Sequence, residues 1–393
     1  MQRLASLDAF RGFIILAMIW VNYIAGMPGS PAWLQHTGPT ADGIGVPDLV
    51  FPGFLFIVGV AIPLALRRAA TEGMRVPLFG KLLWRSASLM LAGMVLLNAE
   101  RYDATAALLP RAWYYLLFYC AMILLWRHDG AAEGAGAGGR VWPKWLGGAL
   151  MAALVLAFPG GLQHGWWGIL GMIGWAYLAC SLAFVLTGGG SAALAGVFAA
   201  MLALYLGGTA GALDWLPVGL REFVSIPQVL GSTAANVMAG VLVGNLFRAE
   251  LPHCLRMRQM AWMALAFLAA GLLLRPYHGI NKIHATASYT LVCAAIMLAL
   301  FILFYWLVDA RRPARAQVPR AASWLLPAGS NALLAYILPD LFEQAAAVLH
   351  IPRFWWPFLD SGGLAGLANA AAMTALMLAL VTLANRAGLR LKF

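Results

Sequence analysis

A polar stretch near the N-terminus combines one histidine with two aspartates between apolar runs. It extends from Met27 to Pro47, contains His36 and Asp42 but no lysine or arginine, and is followed directly by Asp48 at the start of the next run. A carboxylate at that place can cap the N-terminus of the following helix. It can equally orient a histidine as a general base, because it fixes the ring tautomer and stabilises the imidazolium. The residues alone leave both roles of Asp48 open, and a surface role for His36 as well.

A second polar segment follows a later apolar run and is rich in cations. Arg275 ends that run, and Asn281, Lys282 and His284 follow shortly after it. The loop charges described below place this segment on the outer side of a membrane, where positive charge is scarce. Such residues commonly bind anionic groups, for example phosphate or carboxylate. We therefore predict a cofactor- or substrate-binding site here, with an outer loop that merely departs from the usual charge distribution as the structural alternative.

Further polar residues lie inside predicted membrane helices. Asn22 falls in the first apolar run, and Asn331, Asp340 and Glu343 fall in the eleventh. A single Asn in a membrane helix often bonds one helix to another. Acids at that depth should face a polar cavity or a partner cation. These residues predict a polar cavity that opens outward, and such a cavity is compatible with an enzyme or with a transporter.

The elements that position these residues must be membrane helices. Hydrophobic residues make up 62% of the 393 residues and charged residues only 10%, whereas a soluble domain is about 25% charged. Apolar runs of about 20 residues recur along the chain, and each can cross a bilayer as a helix. We predict an all-α, polytopic helical bundle with about 12 transmembrane helices and a range of about 10–12. The candidate spans lie near 9–26, 49–66, 82–98, 107–126, 146–160, 166–187, 191–207, 228–247, 259–275, 286–308, 323–344 and 363–385.

The loop charges predict the orientation of these spans. Lys and Arg concentrate in alternate loops and in the C-terminal tail, which places both termini in the cytoplasm of a bacterial-type inner membrane. This distribution accounts for the net charge of +11 without any nucleic-acid partner. The first run lacks a convincing cleavage site, so we expect a retained helix rather than a signal peptide.

The sequence predicts one transmembrane domain over residues 1–393. A Gly- and Ala-rich stretch is expected to form a flexible cytoplasmic loop at 127–145. The four cysteines show no metal-ligand spacing, so no metal site and no disulfide framework is expected.

Several motifs resemble those of the heparan-α-glucosaminide N-acetyltransferase family. The first sixty residues carry the most specific matches, namely Ser6–Gly12 (SLDAFRG), Val21–Asn22, Trp33 with His36, and Asp48–Gly59 (DLVFPGFLFIVG). Further matches follow in order at Trp84–Ser86, Gly168–Gly174, Ile280–Lys282, Ser288–Tyr289, Tyr305–Asp309 and Asn331–Tyr336. The Trp-Asn-Gly that the family commonly has between the histidine and the aspartate is absent. The chain therefore looks like a bacterial-type side branch, and the lysosomal heparan substrate is not carried over.

This resemblance implies a polytopic membrane acyltransferase that moves acetyl from acetyl-CoA to an amino sugar across the membrane. It implies that His36 is the catalytic histidine, as general base or as transient acetyl acceptor, with Asp48 and Asn22 beside it. Arg275, Asn281, Lys282 and Asn331 are then candidates for binding acetyl-CoA, with Asn22 or Asn331 at the acyl oxygen.

The acceptor is expected to be an amino sugar or a related glycan, with Asp340, Glu343 and His284 as candidates for binding it. The expected partners are acetyl-CoA, this acceptor and the lipid bilayer, and a homo-oligomer is compatible with the sequence. The alternative function is a transporter or exporter of a sugar or sugar conjugate, because twelve spans with both ends inside are usual for such carriers.

Overall fold

The computed structural model describes residues 4–128, 142–311, 320–352 and 362–392. Within these residues the fold is all-α, and the only extended pairing is a single bridge between Arg127 and Leu391. The main helices are α1 (Ala5–Ile24), α2 (Val50–Ala65), α3 (Val76–Leu97), α4 (Arg111–Trp126), α5 (Trp142–Leu156), α6 (Gly168–Leu186), α7 (Ser191–Thr209), α8 (Val218–Val224), α9 (Ala234–Asn245), α10 (His253–His278), α11 (Ala287–Tyr305), α12 (Ala332–Val348) and α13 (Gly363–Arg386). Shorter helical turns are Ala32–Leu34, Val46–Leu49, Ala69–Glu72, Asn98–Arg101, Pro227–Thr233, Trp306–Ala310, Arg320–Ser323 and Leu326–Ser330.

Long apolar helices make this a polytopic helical membrane protein, as the sequence predicts. In the described part of the chain, 8 helices are long and apolar enough to cross a membrane, or 9 if the bent pair formed by Val218–Val224 and Pro227–Asn245 is one span. Each predicted span overlaps a helix, but α4 and α5 are shorter than a full crossing. The count of twelve crossings is therefore not confirmed.

The described contacts divide the chain into two compact units. The first comprises Met1–Phe10, Gln35–Leu97 and His164–Pro319, and the second comprises Arg11–Leu34, Asn98–Gln163 and Arg320–Phe393. The prediction of one domain over the whole chain stays a prediction. Residues 129–141 of the loop predicted at 127–145 lie outside the described residues. At its described ends, Arg127 pairs with Leu391 and the residues from Trp142 onward belong to α5.

In the first unit, α2 and α9 pack against each other at backbone distance. A Cβ atom on Gly59 would lie 1.9 Å from the Val237 carbonyl oxygen, and one on Gly240 would lie 2.1 Å from the Phe56 carbonyl oxygen. Only glycine permits this approach, and small residues are the usual means by which membrane helices pack closely. The contact fixes α2, and with it the short turn that carries Asp48 immediately before α2.

Helices α10 and α11 form an antiparallel pair in the same unit, and the segment between them lies beside the polar N-terminal loop. Helix α10 ends at Gly279, which has a φ of +65° and so ends the helix without the steric cost that a side chain would bring. Thr286 caps α11 by accepting a hydrogen bond from the Tyr289 N–H at 3.3 Å. These two ends fix the residues between them, including Asn281 and Lys282.

The second unit contains most of α1 together with α4, α5, α12 and α13. Asn331, at the start of α12, donates from its amide to Asn385 Oδ1 and to the Leu389 carbonyl, both at 2.9 Å. Its own Oδ1 accepts the Leu391 N–H at 3.0 Å. The side chain is fully buried, and it ties the C-terminal tail to α12.

Candidate active site

Asp48 forms the centre of a polar cluster in the first unit. It lies in the short turn Val46–Leu49 that precedes α2, and its side chain is 0% exposed. One carboxylate oxygen, Oδ2, accepts hydrogen bonds from the Thr37 N–H (3.1 Å), the Thr37 hydroxyl (2.9 Å) and the Gly45 N–H (3.0 Å). Oδ2 therefore holds the loop and caps the turn, which leaves Oδ1 for other partners.

His36 binds that remaining oxygen. Its Nδ1 lies 2.7 Å from Asp48 Oδ1. An ionised carboxylate only accepts hydrogen bonds, so Nδ1 carries the proton in the neutral ring and Nε2 keeps its lone pair. The His36 side chain is 50% exposed, so a substrate can reach the ring. The two roles open for Asp48 in the sequence are thus served by its two different oxygen atoms.

Lys282 lies against the same pair. Its Nζ is 3.0 Å from His36 Nδ1 and 3.4 Å from Asp48 Oδ1. Since Nδ1 carries a proton, the ammonium group donates toward the carboxylate rather than toward the ring. Burial lowers the pKa of Lys282, and the Asp48 carboxylate acts in the opposite direction. The imidazole, the carboxylate and the ammonium group are in mutual contact, and we call these three side chains the His36–Asp48–Lys282 triad.

Asn281 holds Lys282 in this position. Its side-chain amide donates to the carbonyls of Gly38 (3.2 Å), Pro39 (2.9 Å) and Ala41 (2.9 Å). Its Oδ1 accepts the His284 N–H at 3.1 Å, and the residue is 4% exposed. The amide is therefore occupied by the loop that follows His36. Asn281 thus acts as a clamp between the two loops, and the cofactor contact that the sequence predicted for it stays a prediction.

Arg275 and Asp42 form a second connection between the same loops. Arg275 Nε donates to Asp42 Oδ2 at 2.9 Å, and the Ile280 N–H donates to Asp42 Oδ1 at 2.8 Å. These two donors, the Ile280 N–H foremost, hold the pKa of Asp42 below its usual value. Both side chains are 48% exposed, so the pair lies at the rim of the site.

Two groups that the sequence did not single out for a role also contact the site. The Tyr289 hydroxyl donates to the Asp48 carbonyl at 2.5 Å, and Thr37 contributes the two hydrogen bonds to Asp48 described above. Tyr289 is 4% exposed, and its hydrogen bond holds the turn that carries Asp48. Thr37 adjoins His36, so its hydroxyl could have been considered from the sequence; the position of Tyr289 depends on helix packing.

The remaining predicted site residues have other surroundings. His284 is exposed, and its carbonyl accepts the Tyr205 hydroxyl at 3.3 Å. Asn22 is exposed in the last turn of α1. Asn22, Asn331, Asp340 and Glu343 belong to the second unit, and the amide of Asn331 is already used by the C-terminal tail. Their predicted roles, like that of His284, stay predictions.

No group of three or more His, Cys, Asp or Glu side chains in the described ranges is arranged to hold a metal ion.

The triad supplies what a proton transfer or an acyl transfer needs: a carboxylate-bound imidazole with a free ring nitrogen and an adjacent cation. The fold and the site thus define an integral membrane protein of many helices with a histidine–aspartate pair at the end of one of them.

Comparison with known proteins supports the family resemblance. Residues 3–127 match a family described as a domain of unknown function (DUF5009), and this range contains both His36 and Asp48. The chain is 37% identical over 99 residues to heparan-alpha-glucosaminide N-acetyltransferase of Mus musculus and 38% identical over 98 residues to that of Homo sapiens. These matches cover 25% and 24% of this chain but only 14% of each relative.

Proposed function

We propose that this protein is a membrane-bound acetyltransferase that moves acetyl from acetyl-CoA to the amine of an amino sugar or related glycan. The observation that carries the proposal is the His36–Asp48–Lys282 triad, two members of which lie in the segment covered by the family match. The names of the two similar proteins support an acetyl group as the group transferred and an amino sugar as the acceptor class.

In the proposed reaction the acceptor amine attacks the thioester carbonyl of acetyl-CoA. The new C–N bond forms as the C–S bond breaks, and the amine proton passes to His36 Nε2 and from there to the departing thiolate. Asp48 keeps the Nδ1 proton in place and stabilises the imidazolium. In the two-step form, Nε2 itself accepts the acetyl group and then passes it to the amine. Both forms use the same ring atom.

Lys282 supplies positive charge next to the reacting ring. An ammonium group 3.0 Å from His36 Nδ1 is placed to stabilise negative charge that develops on the acyl oxygen or on the sulfur. Arg275 commits only its Nε in the contact with Asp42, which leaves its terminal nitrogens for an anionic group at the rim, such as a CoA phosphate.

We further propose that the triad lies on the extracytoplasmic side of a bacterial-type inner membrane, with both termini inside. The alternation of basic and non-basic loops supports this orientation. Acetyl-CoA would then bind from the cytoplasm and deliver its acetyl group across the helices, and the acceptor would bind from outside.

Purified protein should release CoA thiol from acetyl-CoA in the presence of glucosamine, with N-acetylated sugar as the product identified by mass spectrometry. Glucose, which has the same ring without the amine, should give no product. Binding of sugar without thiol release or acetylated product would refute the transferase and favour the carrier function.

A further inference from the structure

The second unit contains polar side chains that the proposed chemistry leaves unused. Tyr336, Asp340 and Glu343 recur along α12 at intervals of four and three residues, so they share one face of the helix. Ionisable residues inside an apolar helix are expensive and tend to mark a substrate or ion site. Acids alone do not define a site, however, and the neighbouring helices must be considered.

Helix α4 packs against α12 and adds a phenol to this face. The Tyr119 hydroxyl hydrogen-bonds the Asp340 carboxylate, and Tyr119 itself is 3% exposed. Asp340, in contrast, is an exposed residue. The acid is therefore held from one side by a buried phenol and open on another.

Helix α1 contributes an independent indication of a ligand. Tyr23 is 5% exposed, and its hydroxyl has no hydrogen-bond partner among the described residues. Its hydroxyl lies within electrostatic range of the Glu343 and Asp340 carboxylates. A buried hydroxyl is costly unless a partner completes its hydrogen bonding. A polar ligand next to the two acids would provide that partner.

We propose that Tyr23, Tyr119, Tyr336, Asp340 and Glu343, the tyrosine–acid cluster, bind the ammonium group of an amine ligand of the amino-sugar class. Two carboxylates suit a cation, and a phenol oxygen accepts one of its N–H groups. Tyrosine rings offer cation–π attraction and an apolar face for a sugar ring. This inference rests on the proposed function for the identity of the amine as the acetyl acceptor.

Direct binding tests the cluster without any turnover. The probes are radiolabelled glucosamine and, as the neutral match, glucose, with purified full-length protein in detergent. Asp340→Asn should weaken glucosamine binding by about tenfold or more, because the ammonium group loses one of its two charged partners. Tyr23→Phe should weaken it by about three- to tenfold. Glu100→Gln, an exposed acid of the same unit, and Tyr114→Phe, whose hydroxyl bonds the Leu154 carbonyl at 2.8 Å, should bind as the wild type does.

The outcomes separate this inference from the transferase proposal. Glucosamine binding that depends on Asp340 and Tyr23, without thiol release from acetyl-CoA, supports the cluster and refutes the transferase. Acetyl transfer with an unchanged glucosamine KM in both variants overturns the cluster and leaves the transferase standing. Equal affinity of the wild type for glucose and glucosamine also overturns it. If Asp340→Asn does not fold, Tyr23→Phe decides the question by itself.

Discussion

Replacing Asn281 with alanine should disable the site through the two loops that its side chain joins. The side chain bonds three backbone carbonyls of the loop after His36 and accepts one N–H from its own loop. Its two amide hydrogens and one oxygen amount to about three hydrogen bonds, each worth about 0.5–1.5 kcal/mol net. We therefore expect a loss of about 2–4 kcal/mol in the free energy of unfolding.

The catalytic effect of this substitution should exceed its effect on stability. Without the clamp, Lys282 is no longer held 3.0 Å from His36 Nδ1. A misplacement of about 1 Å in a catalytic group costs about 10²-fold in rate, so kcat for acetyl transfer should fall by about that factor. The assay is thiol release at saturating acetyl-CoA and glucosamine, at a temperature well below the unfolding midpoint of the variant.

Asn98→Ala is the matched control. Asn98 is also a buried asparagine, and it bonds the Gln163 carbonyl at 2.8 Å and the Gln163 N–H at 3.1 Å. It should lose stability on the same order, about 1–3 kcal/mol, while its kcat stays at the wild-type value. A wild-type kcat for Asn281→Ala, or an equal loss of kcat in both variants, would refute the role of the clamp.

Three further predictions follow from the triad and its orientation. Asp48→Asn should lower the rate of acetyl transfer by about 10²-fold. An amide N–H that faces Nδ1 favours the His36 tautomer with its proton on Nε2, and this ring can no longer act as a base through Nε2. Wild-type activity in this variant would contradict the orienting role of Asp48. Burial lowers the pKa of Lys282, so its charge is lost at a lower pH than that of an ordinary lysine, and activity should fall on the alkaline side as that charge disappears. Lys282→Arg should move this alkaline limb to higher pH while Lys282→Met should abolish it, and pH–rate profiles that coincide with the wild type would contradict the assignment. A Cβ atom at Gly38 meets no neighbour within 4 Å, so a cysteine placed there in a Cys254→Ser background should react with a membrane-impermeant thiol reagent added from outside. The exposed Cys254 of the wild type should react only after the membrane is opened. The reverse labelling pattern would show that the proposed orientation is inverted.

The helical architecture could be predicted from the sequence because apolar run length determines it locally. All twelve predicted segments overlap helices, since a run of apolar residues must satisfy its own backbone hydrogen bonds in lipid. Crossing is a stricter condition than helix formation. The sequence marks the fifth run, which becomes α5, as short, but it gives no such sign for α4, Arg111–Trp126. The start of α4 follows Pro110, which caps the helix, rather than the start of the apolar run.

The site could be predicted only in part. The pairing of His36 with Asp48 was one of two open readings, and the resemblance to a known family favoured it. The proximity of Lys282 to His36, 246 residues away in sequence, depends on the Asn281 clamp and on the close packing that fixes α2. No periodicity encodes such a contact. For the same reason Arg275 was predicted to bind a cofactor anion without any indication that Asp42 would already occupy its Nε.

The measurement that tests the central claim most directly is the rate of acetyl transfer by His36→Ala. The variant should bind acetyl-CoA as the wild type does but transfer acetyl to glucosamine about 10²–10⁴-fold more slowly. His128→Ala, which removes a histidine whose described hydrogen bond runs through its backbone N–H, should keep the wild-type rate. A His36→Ala variant that transfers acetyl at the wild-type rate would contradict both the general-base and the acetyl-histidine forms of the mechanism.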